Sequence, residues 1–378
     1  MNRKRILLVT EEWAGSGHRM AAEALADALR EIQPDTEVKI VMGLQTASPM
    51  LREVSRFFYL NILRYRPSIW QRLHERDHKW AAALKKPLGI WLSRRLVTRL
   101  IEQERPDIVV ATHAYCFAAL AEAKRKASKP FSLVGIPTDY CFHHFWVHPG
   151  ADLYAVAHPQ LAEQIRVHAG LEHVSILEAG IPIRRKFQTF TEYEKVQWKQ
   201  KLGLQPQLFT VLLCGGEGGY GAMEQVLRGL VAETDPLQIV VVTGRNQALR
   251  ERLSRLVPEL PNRTGHALVI RGYEPAIWEW MAAADLFITK PGGISCAEAL
   301  ALRTPLILYQ PLPGQEQRNV SFLVQQQAAL FAGQADQVGE LVGRLRTSAE
   351  EREEIIGRMS QLGKPDASER IARYLLQL

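Results

Sequence analysis

The segment with the clearest chemical content runs from Leu286 to Glu298, L-F-I-T-K-P-G-G-I-S-C-A-E. An apolar strand enters Pro291, Gly292 and Gly293, and a helix is expected from about Ser295. Glycines at a helix mouth remove the side chains that would hold an anion away. The N–H groups and positive dipole end of the turn through Gly292, Gly293, Ile294 and Ser295 then favour a diphosphate. Glu298 lies one turn further on, where a carboxylate is placed to accept two hydrogen bonds from a ribose diol. The same spacing also fits a plain strand-turn-helix corner.

Three other segments carry candidate chemistry. W-A-G-S-G-H-R-M follows the first strand and puts His18 at the head of a helix, beside the carboxyl edge of a sheet, where α/β ligands bind. Histidine is the side chain most readily poised as a general base near neutral pH, although a helix-start histidine can equally just bond its own loop. L-L-C-G-G-E-G-G-Y-G satisfies G-x-G-x-x-G through Gly216, Gly218 and Gly221, but the next strand ends in Thr243-Gly244-Arg245. A nicotinamide dinucleotide site would place an acid there, so a diphosphate- or acceptor-facing loop is the better expectation, with Arg245 leaving an NADP variant open. Y-Q-P-L-P-G-Q-E-Q-R-N-V sets Gln315 beside Glu316, an amide and a carboxylate able to hold several hydroxyls of one sugar.

Metal chemistry is not expected. His143, His144 and His148 cluster after Asp139, but in a loop-like stretch with no carboxylate at zincin spacing, and no D-x-D occurs in the chain. No organic cofactor is expected either. Four scattered cysteines without a C-x-x-C pair fit a reduced, cytoplasmic protein.

These residues need a scaffold, and 378 residues suffice for two domains. Short β-rich apolar runs alternate with helical periods in both halves, which predicts two doubly wound, Rossmann-like parallel sheets. Strands are expected at 6–10, 38–42, 108–112, 132–136 and 153–157, then at 209–213, 239–243, 268–270, 286–289 and 305–308. The expected division is 1–185, a linker at 186–207, a second domain at 208–360, and a terminal helix at 361–378 packing back on the first domain. No apolar run reaches the roughly 18 residues of a membrane span.

Charge is concentrated in one place. Residues 51–100 hold twelve Lys or Arg against three Asp or Glu, a local +9 in a chain of net +7. Phe57, Phe58, Tyr59, Arg64, Arg66, Trp70 and Arg72 interleave there at helical spacing. Such a pattern suits the headgroup layer of an anionic membrane, and it also describes amphipathic helices with solvated basic faces. No nucleic-acid-binding module accompanies the charge, so nucleic acid is not expected.

Taken in order, G-S-G-H-R-M-A-A-E-A, T-D-Y-C-F-H-H-F-W-V-H, G-I-P-I-R, I-T-K-P-G-G-I-S-C-A-E-A and L-P-G-Q-E-Q-R-N resemble the bacterial processive diacylglycerol glucosyltransferases and plant monogalactosyldiacylglycerol synthases of glycosyltransferase family 28. The resemblance spans Ile6 to about Leu345. It implies a GT-B fold, two such domains facing across a cleft, and inverting transfer of a hexose, glucose being expected, from a UDP-sugar to diacylglycerol or a glycosyl-diacylglycerol without a metal. By position, Gly292, Gly293, Ile294 and Ser295 would hold the diphosphate and Glu298 the ribose. Arg271 to Tyr273 would meet the uracil edge and Gln315 with Glu316 the hexose, with Gly216 also on the donor side. His18 would be the base, with Asp139 as orienter or rival. Trp146 and the basic aromatic segment would meet acceptor and membrane, which implies peripheral attachment to the inner face of the cell membrane. The loop ahead of His18 departs from the bacterial pattern, and G-G-E-G-G-Y-G is closer to the plant type, so the sugar is less fixed than the fold. The alternatives are an N-acetylglucosaminyltransferase acting on a polyprenyl-linked lipid, and a UDP-sugar-binding sensor with little catalysis.

Overall fold

The computed structural model describes residues 3–12, 15–48, 50, 53, 57, 93–167, 171–187, 191–260 and 265–378. The chain divides into two compact units. One comprises Met1–Arg185, Pro313–Gln315 and Asp366–Leu378, and the other Lys186–Leu312 and Glu316–Pro365.

The first unit is built on strands β1 (Arg5–Thr10), β2 (Glu37–Met42), β3 (Ile108–Ala111), β4 (Ser132–Gly135), β5 (Leu153–Val156) and β6 (Ser175–Glu178). They form one parallel sheet in the order β2-β1-β3-β4-β5-β6. β1, β3 and β5 are nearly continuous Ile, Leu, Val and Ala because helices cover both faces, and a strand buried on both sides has no use for polar alternation. Helix Gly17–Ile32 lays Ala22, Leu25, Ala26 and Leu29 on the sheet, and its alanines let a second helix approach closely.

That second helix is the end of the chain, Ala367–Gln377, which buries Ile371, Ala372 and Leu375 in the same core. Ser368 Oγ donates to the Ile183 carbonyl at 2.7 Å, and Lys4 Nζ donates to the Leu376 carbonyl at 2.7 Å. Burying each large aliphatic side chain contributes about 1.5–3 kcal/mol, so this eleven-residue helix completes the first unit's core.

The second unit contains β7 (Phe209–Cys214), β8 (Leu237–Val242), β9 (Ala267–Arg271), β10 (Leu286–Thr289), β11 (Leu306–Tyr309) and β12 (Leu330–Ala332). Its sheet order is β12-β11-β10-β7-β8-β9, again all parallel. Residues 186–207 are not a free linker. Helix Glu192–Lys201 opens on a capping box between Thr191 and Glu194, and Trp198 meets Trp278 edge to face at 4.8 Å. Lys199, nearly buried, bonds Asp285 Oδ2 at 2.6 Å and the Leu208 carbonyl at 3.0 Å, which fixes this helix to the second unit.

All ten expected strands are present; β6 and β12 are additional. Each lies at a sheet edge, S-I-L-E and L-F-A, where half-exposure leaves too short an apolar run to read. Among the described residues no helix is long and apolar enough to cross a membrane.

Candidate functional site

The strand order of each parallel sheet reverses once, and most of the candidate residues lie at those reversals. In the first unit β1 pairs with β2 on one side and β3 on the other, so the chain diverges past the carboxyl ends of β1 and β3 and leaves a crevice there. Thr10 ends β1, while Thr112 and His113 follow β3. Thr112 Oγ1 donates to the His18 carbonyl at 2.9 Å and lies 2.7 Å from Thr10 Oγ1, which anchors the head of helix Gly17–Ile32 to both strand ends.

The His18 imidazole is thereby fixed. Its Nδ1 lies 2.7 Å from Thr138 Oγ1, and the His113 ring stands edge-on at 4.9 Å between centroids. Burial lowers the His18 pKa below its ordinary value, against the opposing pull of the Asp139 charge and a bond with the Thr112 backbone. His113 is buried, and burial together with His18 and His143 holds it well below the ordinary value. A neutral imidazole with one nitrogen engaged is the form that accepts a proton.

In the second unit the reversal lies between β7 and β10. The G-G-E-G-G-Y-G loop follows β7, and Lys290 to Gly293 follow β10. Gly216 has φ +70°, and a methyl group there would stand 3.1 Å from Lys290 Cε; at Gly292 it would stand 3.6 Å from Lys290 Nζ. The two glycines leave room beside the lysine stem and head between the loops. The helix starts at Gly293 rather than at Ser295, with Gly292 as N-cap and no side-chain cap, so Ile294 and Ser295 belong to its first turn. Asn319 Nδ2 donates to the Pro291 carbonyl at 3.0 Å and braces this turn. Glu298 is buried on the same helix.

Lys290 Nζ pairs with Glu316 Oε1, and Glu316 Oε2 accepts the Leu312 N–H at 2.8 Å. Gln315 is the first residue of helix Gln315–Gln325. Past β8 and β9, the Arg271 carbonyl accepts from Thr243 N at 3.0 Å and from Thr243 Oγ1 at 3.1 Å. Tyr273 is half-exposed beneath the Arg245 guanidinium, 4.5 Å from its ring centroid, and Arg245 pairs with Glu217 at 2.5 Å. Thr289 Oγ1 and Tyr309 Oη, at the carboxyl ends of β10 and β11, are buried without a partner among the described residues.

The first unit therefore brings together His18, Asp139 and, unforeseen, Thr138, Thr112 and His113. The second brings together Gly216, Gly292, Gly293, Ile294, Ser295, Glu298 and Glu316, and adds Lys290. The signals for Lys290 and His113 were a basic residue between a strand and a Gly-Gly turn, and a histidine directly after β3. Trp146 requires correction: it is buried, packs on the Phe117 ring at 5.3 Å between centroids, and its carbonyl accepts from Tyr154 Oη. It is a core residue, not a surface contact. Phe57 is exposed, whereas Phe58, Tyr59, Arg64, Arg66, Trp70 and Arg72 lie outside the described residues. His148 is committed to Glu122 at 3.2 Å and to Gly150 N at 3.0 Å, and among the described residues no group of three His, Cys, Asp or Glu could hold a metal.

A family model described as monogalactosyldiacylglycerol (MGDG) synthase matches residues 18–183, and one described as the glycosyltransferase family 28 C-terminal domain matches residues 210–371. A processive diacylglycerol beta-glucosyltransferase of Bacillus cereus is 30% identical over 330 residues, covering 86% of this chain and 81% of that protein. The chain belongs to this family. It is a glycosyltransferase. The Bacillus pumilus protein of the same name is 28% identical over 374 residues, covering 99% of this chain and 95% of its own. Among solved structures, Acinetobacter baumannii MurG aligns with a TM-score of 0.65 at 14% identity over 100% of both chains. Anabaena HepE in complex with UDP aligns with a TM-score of 0.57 at 14% identity, over 99% of this chain and 100% of its own. These likenesses establish the GT-B fold.

Proposed function

We propose that this transferase moves a hexose, glucose in our reading, from a UDP-sugar to diacylglycerol or a glycosyl-diacylglycerol, with inversion at the anomeric carbon. The observation that carries the donor half is the bare pair Gly216 and Gly292 around Lys290, at the uncapped start of helix Gly293–Leu302. This is a concave, positively polarised surface for a diphosphate, with a buried carboxylate, Glu298, one turn further on for a ribose diol. The uracil is assigned to the Arg271 to Tyr273 turn and the hexose to Gln315 and Glu316. The acceptor class follows from the relatives' names and from the match over residues 18–183.

The reaction is a single displacement. The acceptor oxygen attacks the anomeric carbon, the bond from that carbon to the diphosphate oxygen breaks with its electron pair leaving on UDP, and the acceptor proton passes to the neutral His18 imidazole. Thr138 holds the ring and Asp139 steadies the imidazolium that forms. The absence of D-x-D and the presence of Lys290 support a donor site that works without a metal. The charge of residues 51–100 supports peripheral attachment to an anionic membrane on its cytoplasmic face.

The test is incubation with a panel of labelled UDP-sugars and vesicles carrying either diacylglycerol or a polyprenyl-linked acceptor, followed by chromatography of the lipid. Labelled glucosyl-diacylglycerol is the expected product. Label that appears only in a polyprenyl-linked acceptor, or in no lipid, would replace this reading with one of the two alternatives.

A further inference from the structure

Lys290 lies beside the proposed diphosphate site, and the reaction as written above assigns it no step. Its side chain is 20% exposed and that of Glu316 is 12% exposed. Taking two charges out of water is costly, and a largely buried ion pair is often replaceable by apolar side chains without loss of stability. Stability therefore does not explain this pair. Its surroundings do: the stem runs beneath Gly216, where a side chain would crowd it, and the head lies beside Gly292, where even a methyl group would come into contact with it.

We propose that Lys290 is a catalytic residue whose ammonium receives the charge arriving on the leaving diphosphate, and that Glu316 is its positioning residue. The inference rests on the UDP-sugar reading. When the anomeric bond breaks, its electron pair stays on the β-phosphate oxygen, and the diphosphate gains one negative charge. The backbone N–H groups at Gly293, Ile294 and Ser295 supply fixed partial charges, and Lys290 adds a full one at the same loop. Burial, the largest single influence, would lower its pKa, but the charge and hydrogen bond of Glu316 together with Cys296 and Tyr220 more than offset it; the net shift is upward and the ammonium stays charged through the neutral range. One oxygen of Glu316 holds the ammonium and the other holds Leu312 N–H, so the carboxylate is itself tied to the loop that precedes helix Gln315–Gln325. It can fix where Lys290 points.

The test is calorimetry at pH 8 with UDP, with UDP-glucose and with uridine, together with turnover on UDP-glucose and diacylglycerol vesicles. The proteins are the parent, Lys290→Gln, Lys290→Arg, Glu316→Gln and the double variant. Lys290→Gln is expected to weaken UDP at least about tenfold while uridine stays within about twofold, since only UDP carries the diphosphate, and Lys290→Arg to recover most of the loss. Glu316→Gln is expected to hold UDP at least as well as the parent, having lost a nearby negative charge, yet to turn over at least about tenfold more slowly. The double variant leaves no buried unpaired charge and so guards against a folding failure; it should fall no further than Lys290→Gln alone. Equal UDP affinity in parent and Lys290→Gln overturns the role of Lys290. Additive losses, with Glu316→Gln weakening UDP-glucose but not UDP, would return Glu316 to the hexose alone. A parent that binds no UDP would instead defeat the donor reading on which the inference rests.

Discussion

In the proposed reaction the two units use the same topological feature for opposite purposes. At the reversal between β1 and β3, the first unit places titratable side chains and shields them: His18 against Thr138, with His113 edge-on behind it. At the reversal between β7 and β10, the second unit places glycines, with the paired cation Lys290 among them. Proton transfer needs a group whose pKa has been moved, and burial moves it. Holding a diphosphate needs side chains removed and dipoles aligned. A crevice at the carboxyl edge is common to both, and the residue types decide which half of the reaction each can perform.

The largest expected break in this contrast is His18→Ala. Turnover should fall by about 100-fold to 10,000-fold, while UDP affinity by calorimetry stays within about twofold, because the base belongs to the first unit only. A variant that keeps a tenth of parental turnover would pass the role to Asp139. Next is Glu298→Ala, which removes a charge-assisted acceptor from the second unit and should weaken UDP by about 1.5–3 kcal/mol with the fold intact. Affinity unchanged within about twofold would take Glu298 out of the site.

A smaller effect sharpens the first unit. Thr138→Val removes the hydroxyl at His18 Nδ1 and should cost about tenfold in turnover, with the acid limb of the pH profile displaced and UDP binding unchanged. No displacement of that limb would mean that Thr138 does not position the ring. The smallest expected effect is none. Treatment with EDTA should leave transfer within about twofold of the untreated enzyme, because in the proposed donor site dipoles and Lys290 take the diphosphate charge. An enzyme that dies and is revived by manganese or magnesium contradicts that assignment.

Much of this contrast was legible in the sequence, and what escaped did so for physical reasons. The glycine pairs, His18, Glu298 and Gln315 with Glu316 stand out because strand, turn and helix signals bracket them at short range. Thr138 did not: next to Asp139 a hydroxyl is inconspicuous, and only the fold brings it to within 2.7 Å of a histidine 120 residues away. His113 and Lys290 follow strands that were located correctly, but which strand ends are neighbours depends on sheet order, which periodicity does not contain. Trp146 misled for the converse reason. Its place with acceptor and membrane came from the family resemblance, which does not contain the packing on Phe117 that buries it. The edge strands β6 and β12 were too short and too exposed to leave a pattern. The membrane expectation for residues 58–72 falls outside the described residues.

The division of labour itself is tested most directly by measuring two quantities over one pH range on the unmodified enzyme. These are turnover on diacylglycerol vesicles and the affinity for UDP-glucose without acceptor, from about pH 5 to 8, where the donor diphosphate carries no titrating monoester. A base must be unprotonated to accept the acceptor proton, so turnover is lost as pH falls through the pKa of His18. Burial places that pKa below the ordinary 6.5, and the loss should come correspondingly late. The expected result is an acid limb in turnover with its midpoint below 6.5 and a flat UDP-glucose affinity through the same interval. A flat turnover, or an affinity that falls in step with it, would contradict the assignment of proton transfer to the first unit and donor binding to the second.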